Sequence, residues 1–78
     1  MTTEVRLFAA AAAAAGVAST QSDAPTLTAL QTALLDEYPA LGPVLLRCSF
    51  LVDGGVARGD VDLRTATTVD VLPPFAGG

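Results

Sequence analysis

Histidine, lysine and tryptophan are absent, and there is a single cysteine. Each gap closes off some chemistry. Without histidine there is no Ser-His-Asp or Cys-His arrangement and no imidazole metal ligand. One cysteine makes neither an intramolecular disulfide nor a thiolate cluster. Positive charge is scarce as well: four arginines stand against eight carboxylates, for a net charge of −4. Nucleic-acid binding calls for a basic stripe, which this chain does not supply. An acidic surface instead steers a chain toward basic partners. The all-arginine cation set, beside many Ala, Val, Gly and Asp, fits a bias of genome composition. No apolar run reaches the roughly 20 residues of a membrane-spanning helix. The expectation is no nucleic acid, no membrane and no metal.

The chain has 78 residues, 51% hydrophobic and 15% charged. It is too apolar for a disordered tail. A single domain of this size buries only about 60% of the surface its unfolded chain exposes. The core is therefore thin, with no room for the cleft of a two-domain enzyme.

Near the start, Arg6 precedes Leu7, Phe8 and the run Ala9 to Ala15, and Gly16-Val17-Ala18-Ser19 follows. One charge, a short apolar run and small residues resemble a signal peptide. Glu4 in the supposed basic region and the weak insertion tendency of alanine argue against it. The expected reading is a strand over Val5-Arg6-Leu7-Phe8 and then a helix, since alanine has the highest helix propensity. Gly16 is a natural stop.

Val17 to Ala24 is polar and fits at most a short edge strand. Pro25 marks a helix start, with Asp23 or Thr26 as cap. Leu27, Leu30, Leu34 and Tyr38 recur at spacings of three and four, so they share one helix face. Pro39 ends this helix at Tyr38. Asp36 and Glu37 read as a solvated end rather than an acid/base pair. Gly42 and Pro43 punctuate a connection, and Val44 to Val52 supplies a strand. Cys48 reads as a small buried residue. Asp53-Gly54-Gly55 signals a turn, and Val56-Ala57-Arg58 returns from it. Asp60, Asp62 and Asp70 read as solvated charge, because no calcium-loop pattern surrounds them. Thr67 to Leu72 is the clearest strand, with Val69 and Val71 on one face.

The end of the chain, Leu72-Pro73-Pro74-Phe75-Ala76-Gly77-Gly78, carries the most information. Two prolines stop a sheet and favour a stiff, extended segment. The five residues from Pro74 to Gly78 reach about 17 Å when extended. Gly77 and Gly78 have no side chains, so they fit a narrow channel. The reactive group is then the α-carboxylate of Gly78, which becomes an electrophile once joined to phosphate as a mixed anhydride. Phe75 is an apolar anchor for a partner groove. Leu72 and Phe8 lie nearer the body and read first as core, with partner contact as the other reading.

On these residues the chain resembles the β-grasp sulfur carriers, relatives of ubiquitin, and within them the MoaD-type small subunit of molybdopterin synthase. The resemblance runs through Leu7-Phe8-Ala9, Gly16, Pro25-Thr26-Leu27 and Ala29-Leu30 to the Pro-Pro-x-x-Gly-Gly ending. It implies an α+β fold: a mixed sheet packed on one main helix, with a flexible Gly-Gly tail. The domain would span residues 1–73 and the tail 74–78.

The resemblance also implies a mechanism and partners. An E1-like adenylyltransferase of the MoeB type would use ATP to adenylate Gly78. The acyl-adenylate would be transient, and no cofactor would be held permanently. A sulfur donor would then leave a thiocarboxylate on Gly78. Within a cytoplasmic heterotetramer, the tail would enter the MoaE-type large subunit of molybdopterin synthase. There the sulfur would pass to cyclic pyranopterin monophosphate. Gly77 would give clearance, while Phe75, Leu72, Pro73, Pro74, Ala76 and Phe8 would contact partners. The chain would be a sulfur-donating subunit rather than a catalyst on its own. The alternatives are a carrier for cysteine, thiamine or tRNA thiolation, a ubiquitin-like protein modifier, and a plain interaction module.

Overall fold

The computed structural model describes residues 2–74. The first strand, β1 (Thr3–Leu7), alternates strictly between buried and exposed positions. That period of two is the mark of a strand with one face on the core. The alanine run becomes α1 (Ala9–Ala15). Gly16 closes it at φ 79°, and its N–H donates to the Ala12 carbonyl at 2.8 Å. Only glycine adopts that left-handed conformation at no steric cost. The polar stretch that follows is β2 (Ser19–Ser22), an edge strand antiparallel to β1.

The main helix, α2, spans Leu27–Glu37. Thr26 is its cap and accepts from the Ala29 N–H at 3.1 Å. Leu27, Leu30 and Leu34 are buried, as their spacing predicts. Tyr38 ends the helix before Pro39. A 3₁₀ turn (Pro39–Leu41) and the short helix α3 (Gly42–Leu45) come next.

This helical stretch corrects two expectations. Gly42 and Pro43 begin a helical turn instead of a plain connection. Proline is preorganised for the first turn of a helix, where its missing N–H costs nothing. The strand expected over Val44 to Val52 is confined to β3 (Ser49–Val52). Arg47 and Cys48 N–H groups donate back to Val44 and Leu45, so the turn persists to Cys48. Cys48 itself is half-buried, and its thiol donates to the Val44 carbonyl.

β3 turns at Asp53 and Gly54, with φ 49° and 85°, into β4 (Gly55–Val56). Positive φ at both central residues is the mirror-image turn whose twist suits a two-residue hairpin. Asp53 Oδ1 also accepts from the Thr67 and Thr68 N–H groups, tying the turn to the start of β5 (Thr68–Leu72).

The sheet order is β2-β1-β5-β3-β4. β5 lies at its centre, parallel to β1 and antiparallel to β3. One face packs against α2, and the shared core includes Val5, Leu7, Leu30, Leu34, Phe50, Val69 and Val71. The mixed sheet on one main helix agrees with the expected β-grasp class. Among the described residues no helix is long and apolar enough to cross a membrane.

Candidate functional site

The C-terminal end of β5 is where the sequence places the site. Parallel pairing sets the ends of β1 and β5 side by side, with Leu7 opposite Val71. The Phe8 N–H extends this ladder, donating to the Val71 carbonyl at 3.2 Å. Successive strand residues point to opposite faces. With Val5, Leu7, Val69 and Val71 turned to the core, Arg6, Phe8, Asp70 and Leu72 share the outer face. Leu51 joins them, since it stands opposite both Asp70 and Val56. The helix-free side of the sheet thus carries Phe8, Leu72, Leu51 and Val56 around a charged pair. Phe8 is 39% exposed and Val56 62%.

That pair is Arg6 and Asp70. Asp70 is buried despite its charge. Such a carboxylate needs a partner, because desolvation of a bare charge is costly. Both its oxygens accept from the Arg6 guanidinium, one from Nη2 at 3.0 Å and the other from Nε. The hydrogen bond to Asp70, and then its charge, hold the Arg6 pKa above its ordinary value. The two-pronged contact fixes the centre of the outer face.

The solvated reading therefore fails for Asp70. Asp60 and Asp62 are exposed, yet each also orders backbone. Asp60 Oδ1 accepts from the Thr28 N–H at the start of α2, at 2.9 Å. Asp62 accepts from the Arg64 N–H at 2.9 Å and from its guanidinium. Among the described residues, no group of three or more candidate ligands is arranged to hold a metal. Burial pushes the Cys48 thiol pKa up, so this sulfur is no ready nucleophile.

The expected contact residues divide. Phe8 is not in the core but stands on the outer face, and Leu72 is half-buried beside it. Pro73 is buried in the chain itself, which leaves Pro74 as the exposed proline. Phe75, Ala76, Gly77 and Gly78 lie outside the described residues. Sequence reasoning missed the Arg6–Asp70 pair and the outward Leu51 and Val56. Alternation would have found the first: if Val69 and Val71 face inward, Asp70 and Leu72 cannot.

The ThiS family pattern matches residues 5–78. The chain belongs to the ThiS family. Solved structures show the same fold. It is similar to small archaeal modifier protein 1 from Haloferax volcanii, at 24% identity and TM-score 0.83, with full cover of both chains. The same modifier from Methanosarcina acetivorans is similar at 24% identity and TM-score 0.85, covering 99% of this chain and 96% of that one. A third likeness is to a complex of subunits 1 and 2 of molybdopterin-converting factor from Helicobacter pylori 26695. It has 25% identity, TM-score 0.72 and full cover of both chains. A search of curated proteins gave no match. The ThiS-family chain has the ubiquitin-like β-grasp fold of the ThiS/MoaD-type sulfur carriers.

Proposed function

We propose that this chain is the sulfur-carrying small subunit of a molybdopterin synthase, with the Gly78 carboxylate as its working group. The observation that carries the reading is the ThiS-family match running through the terminal Gly-Gly, joined to an outer face with exposed apolar side chains at the end of β5. The likeness to a complex of subunits 1 and 2 of molybdopterin-converting factor from H. pylori supports the choice of pathway.

In this reading an E1-like partner of the MoeB type directs the Gly78 carboxylate onto the α-phosphorus of ATP, and pyrophosphate leaves. A sulfur donor then displaces AMP and leaves a thiocarboxylate. The MoaE-type subunit receives the tail, and the sulfur passes to cyclic pyranopterin monophosphate as the C–S bond breaks and water returns Gly78 to its carboxylate. Phe8 and Leu72 contact partners from the body of the domain, and Pro74, Phe75 and Ala76 from the tail. Gly77 supplies clearance. The activity belongs to the cytoplasm, where ATP is available.

The test is the intact mass of the chain after incubation with an activating enzyme, ATP and a sulfur donor. Exchange of one oxygen for sulfur in the terminal peptide is the expected result. An unmodified Gly78 under those conditions removes the carrier reading.

A second reading is favoured by the small archaeal modifier structures. In it Gly78 ends in an isopeptide bond to a lysine of another protein. The chain has no lysine of its own, so it could not be extended into lysine-linked chains. Adducts that survive thiol treatment distinguish this reading from a carrier.

A further inference from the structure

We propose that the free edge of β2, with the groove between it and α2, docks an extended basic peptide as an added strand. This goes beyond sulfur transfer and does not depend on it. β2 is the outermost strand on its side of the sheet. The Leu7 N–H donates to the Ala18 carbonyl, which sets the phase of the pairing. Ala18, Thr20 and Ser22 then turn their backbone groups toward β1. Ser19 and Gln21 turn theirs outward, as antiparallel alternation requires. Edges are ordinarily guarded by lysine, proline or a bulge. Ser19-Thr20-Gln21-Ser22 has no charge and no proline.

Beside this edge runs a groove of about 310 Å³. Leu30, Ala33 and Leu34 line it from the helix, and Asp23 and Glu37 bring carboxylates to it. No cation lines it among the described residues. The end of α2 points to the same partner. Its last turn holds Asp36 and Glu37 and no basic residue. The carbonyl end of a helix favours cations, so two carboxylates there are misplaced for an isolated chain. A lysine or arginine reaching Glu37 answers both the side chain and the helix end. An added strand gains main-chain bonds from Ser19 and Gln21 and sets alternate side chains against Ala33. A second copy is the poorer occupant, because it would bring its own Asp23 and Glu37 against these. Two strands separate this edge from β5, so docking leaves the end of β5 accessible.

The experiment titrates the isotope-labelled full chain with the peptide acetyl-Arg-Val-Lys-Ile-Arg-Val-Thr-amide, and with an analogue bearing glutamate at each cation. Amide shifts confined to Ser19–Ser22 and Ala33–Glu37 are expected, with slowed exchange at Gln21. The acidic analogue should bind at least tenfold more weakly. Gln21→Pro removes an outward N–H, and Glu37→Lys reverses the rim charge. Each should weaken binding at least tenfold, and Glu37→Lys alone decides if Gln21→Pro perturbs folding. No binding up to about 1 mM peptide, equal binding of the acidic analogue, shifts centred on Phe8 and Leu72, or self-pairing through Ser19–Ser22 that peptide does not displace would each overturn the proposal.

Discussion

The two faces of the sheet are built from alternate residues of the same strands, and they serve opposite ends. On the inner face Val5, Val69 and Val71 are wholly buried beneath α2. On the outer face Phe8 and Val56 remain open, although both are as apolar as the residues inside. A thin domain can ill afford to leave apolar surface in water. The difference shows that hydrophobic character alone does not say which residues hold the fold. One face holds the domain together, and the other is free to meet a partner.

The largest expected effect tests the inner face. Leu30 is fully buried in α2. Leu30→Ala should cost about 2–5 kcal/mol through lost transfer energy and the cavity left behind. Denaturant unfolding measures it, and a loss under about 1 kcal/mol would break the comparison. Next comes the outer face. Phe8→Asp should cost much less stability than Leu30→Ala, because Phe8 is 39% exposed and, as the N-cap of α1, an aspartate there can accept from the helix N–H groups. The same change should weaken binding to the proposed partner subunit or the proposed activating enzyme by at least about tenfold, as loss of an aromatic anchor does. Calorimetry with the partner and thermal melting of the free chain separate the two quantities. A variant that unfolds the chain while leaving partner affinity intact would reverse the roles given to the faces.

A smaller effect sharpens the comparison by touching neither face. Thr26 caps α2 through the Ala29 N–H. Thr26→Ala should cost about 1 kcal/mol, the usual worth of such a cap. Thr26→Asn, which restores an acceptor, should recover most of it in the same melts.

The sequence showed what depends on local periodicity and special backbone. Leu27, Leu30 and Leu34 announced the helix, Gly16 its neighbour's end, and Asp53-Gly54 the hairpin. It misled where tertiary placement decides. Val44 and Leu45 are as suited to strand as Phe50 and Leu51 are, yet Pro43 and the packing of α3 on α1 keep them helical. Phe8 looked like core because an aromatic residue ends a buried strand, but its parity puts it outside. Asp70 looked solvated because its partner, Arg6, is 64 residues away in the chain. For the candidate site, the Pro-Pro and Gly-Gly ending was legible at once, whereas the surrounding face needed the strand order. No local pattern says that β5 lies between β1 and β3.

The smallest effect concerns the loop between β4 and β5, and pH reads it. Arg64 hydrogen bonds, first from the side chain and then from the backbone, pull the Asp62 pKa from 3.8 down to about 2. The Thr28 backbone N–H lowers that of Asp60 in the same direction. A carboxylate with a depressed folded pKa binds its proton first in the unfolded chain. Between the two values the unfolded state therefore holds more protons, and stability rises with pH. The contribution is complete above about pH 4 and is lost as pH falls toward about 2. Both carboxylates are exposed, so solvent and salt screen them and the slope should be shallow. Asp62→Asn should flatten it further without abolishing it, since Asp60 still titrates. Added salt should flatten the native slope toward that of the variant. If native chain and Asp62→Asn lose stability identically on acidification, Asp62 adds nothing to the slope, and the loop is held by Asp60 on the Thr28 N–H and by its backbone contacts: the Leu27 N–H to the Val61 carbonyl, and the Leu63 N–H to the Pro25 carbonyl.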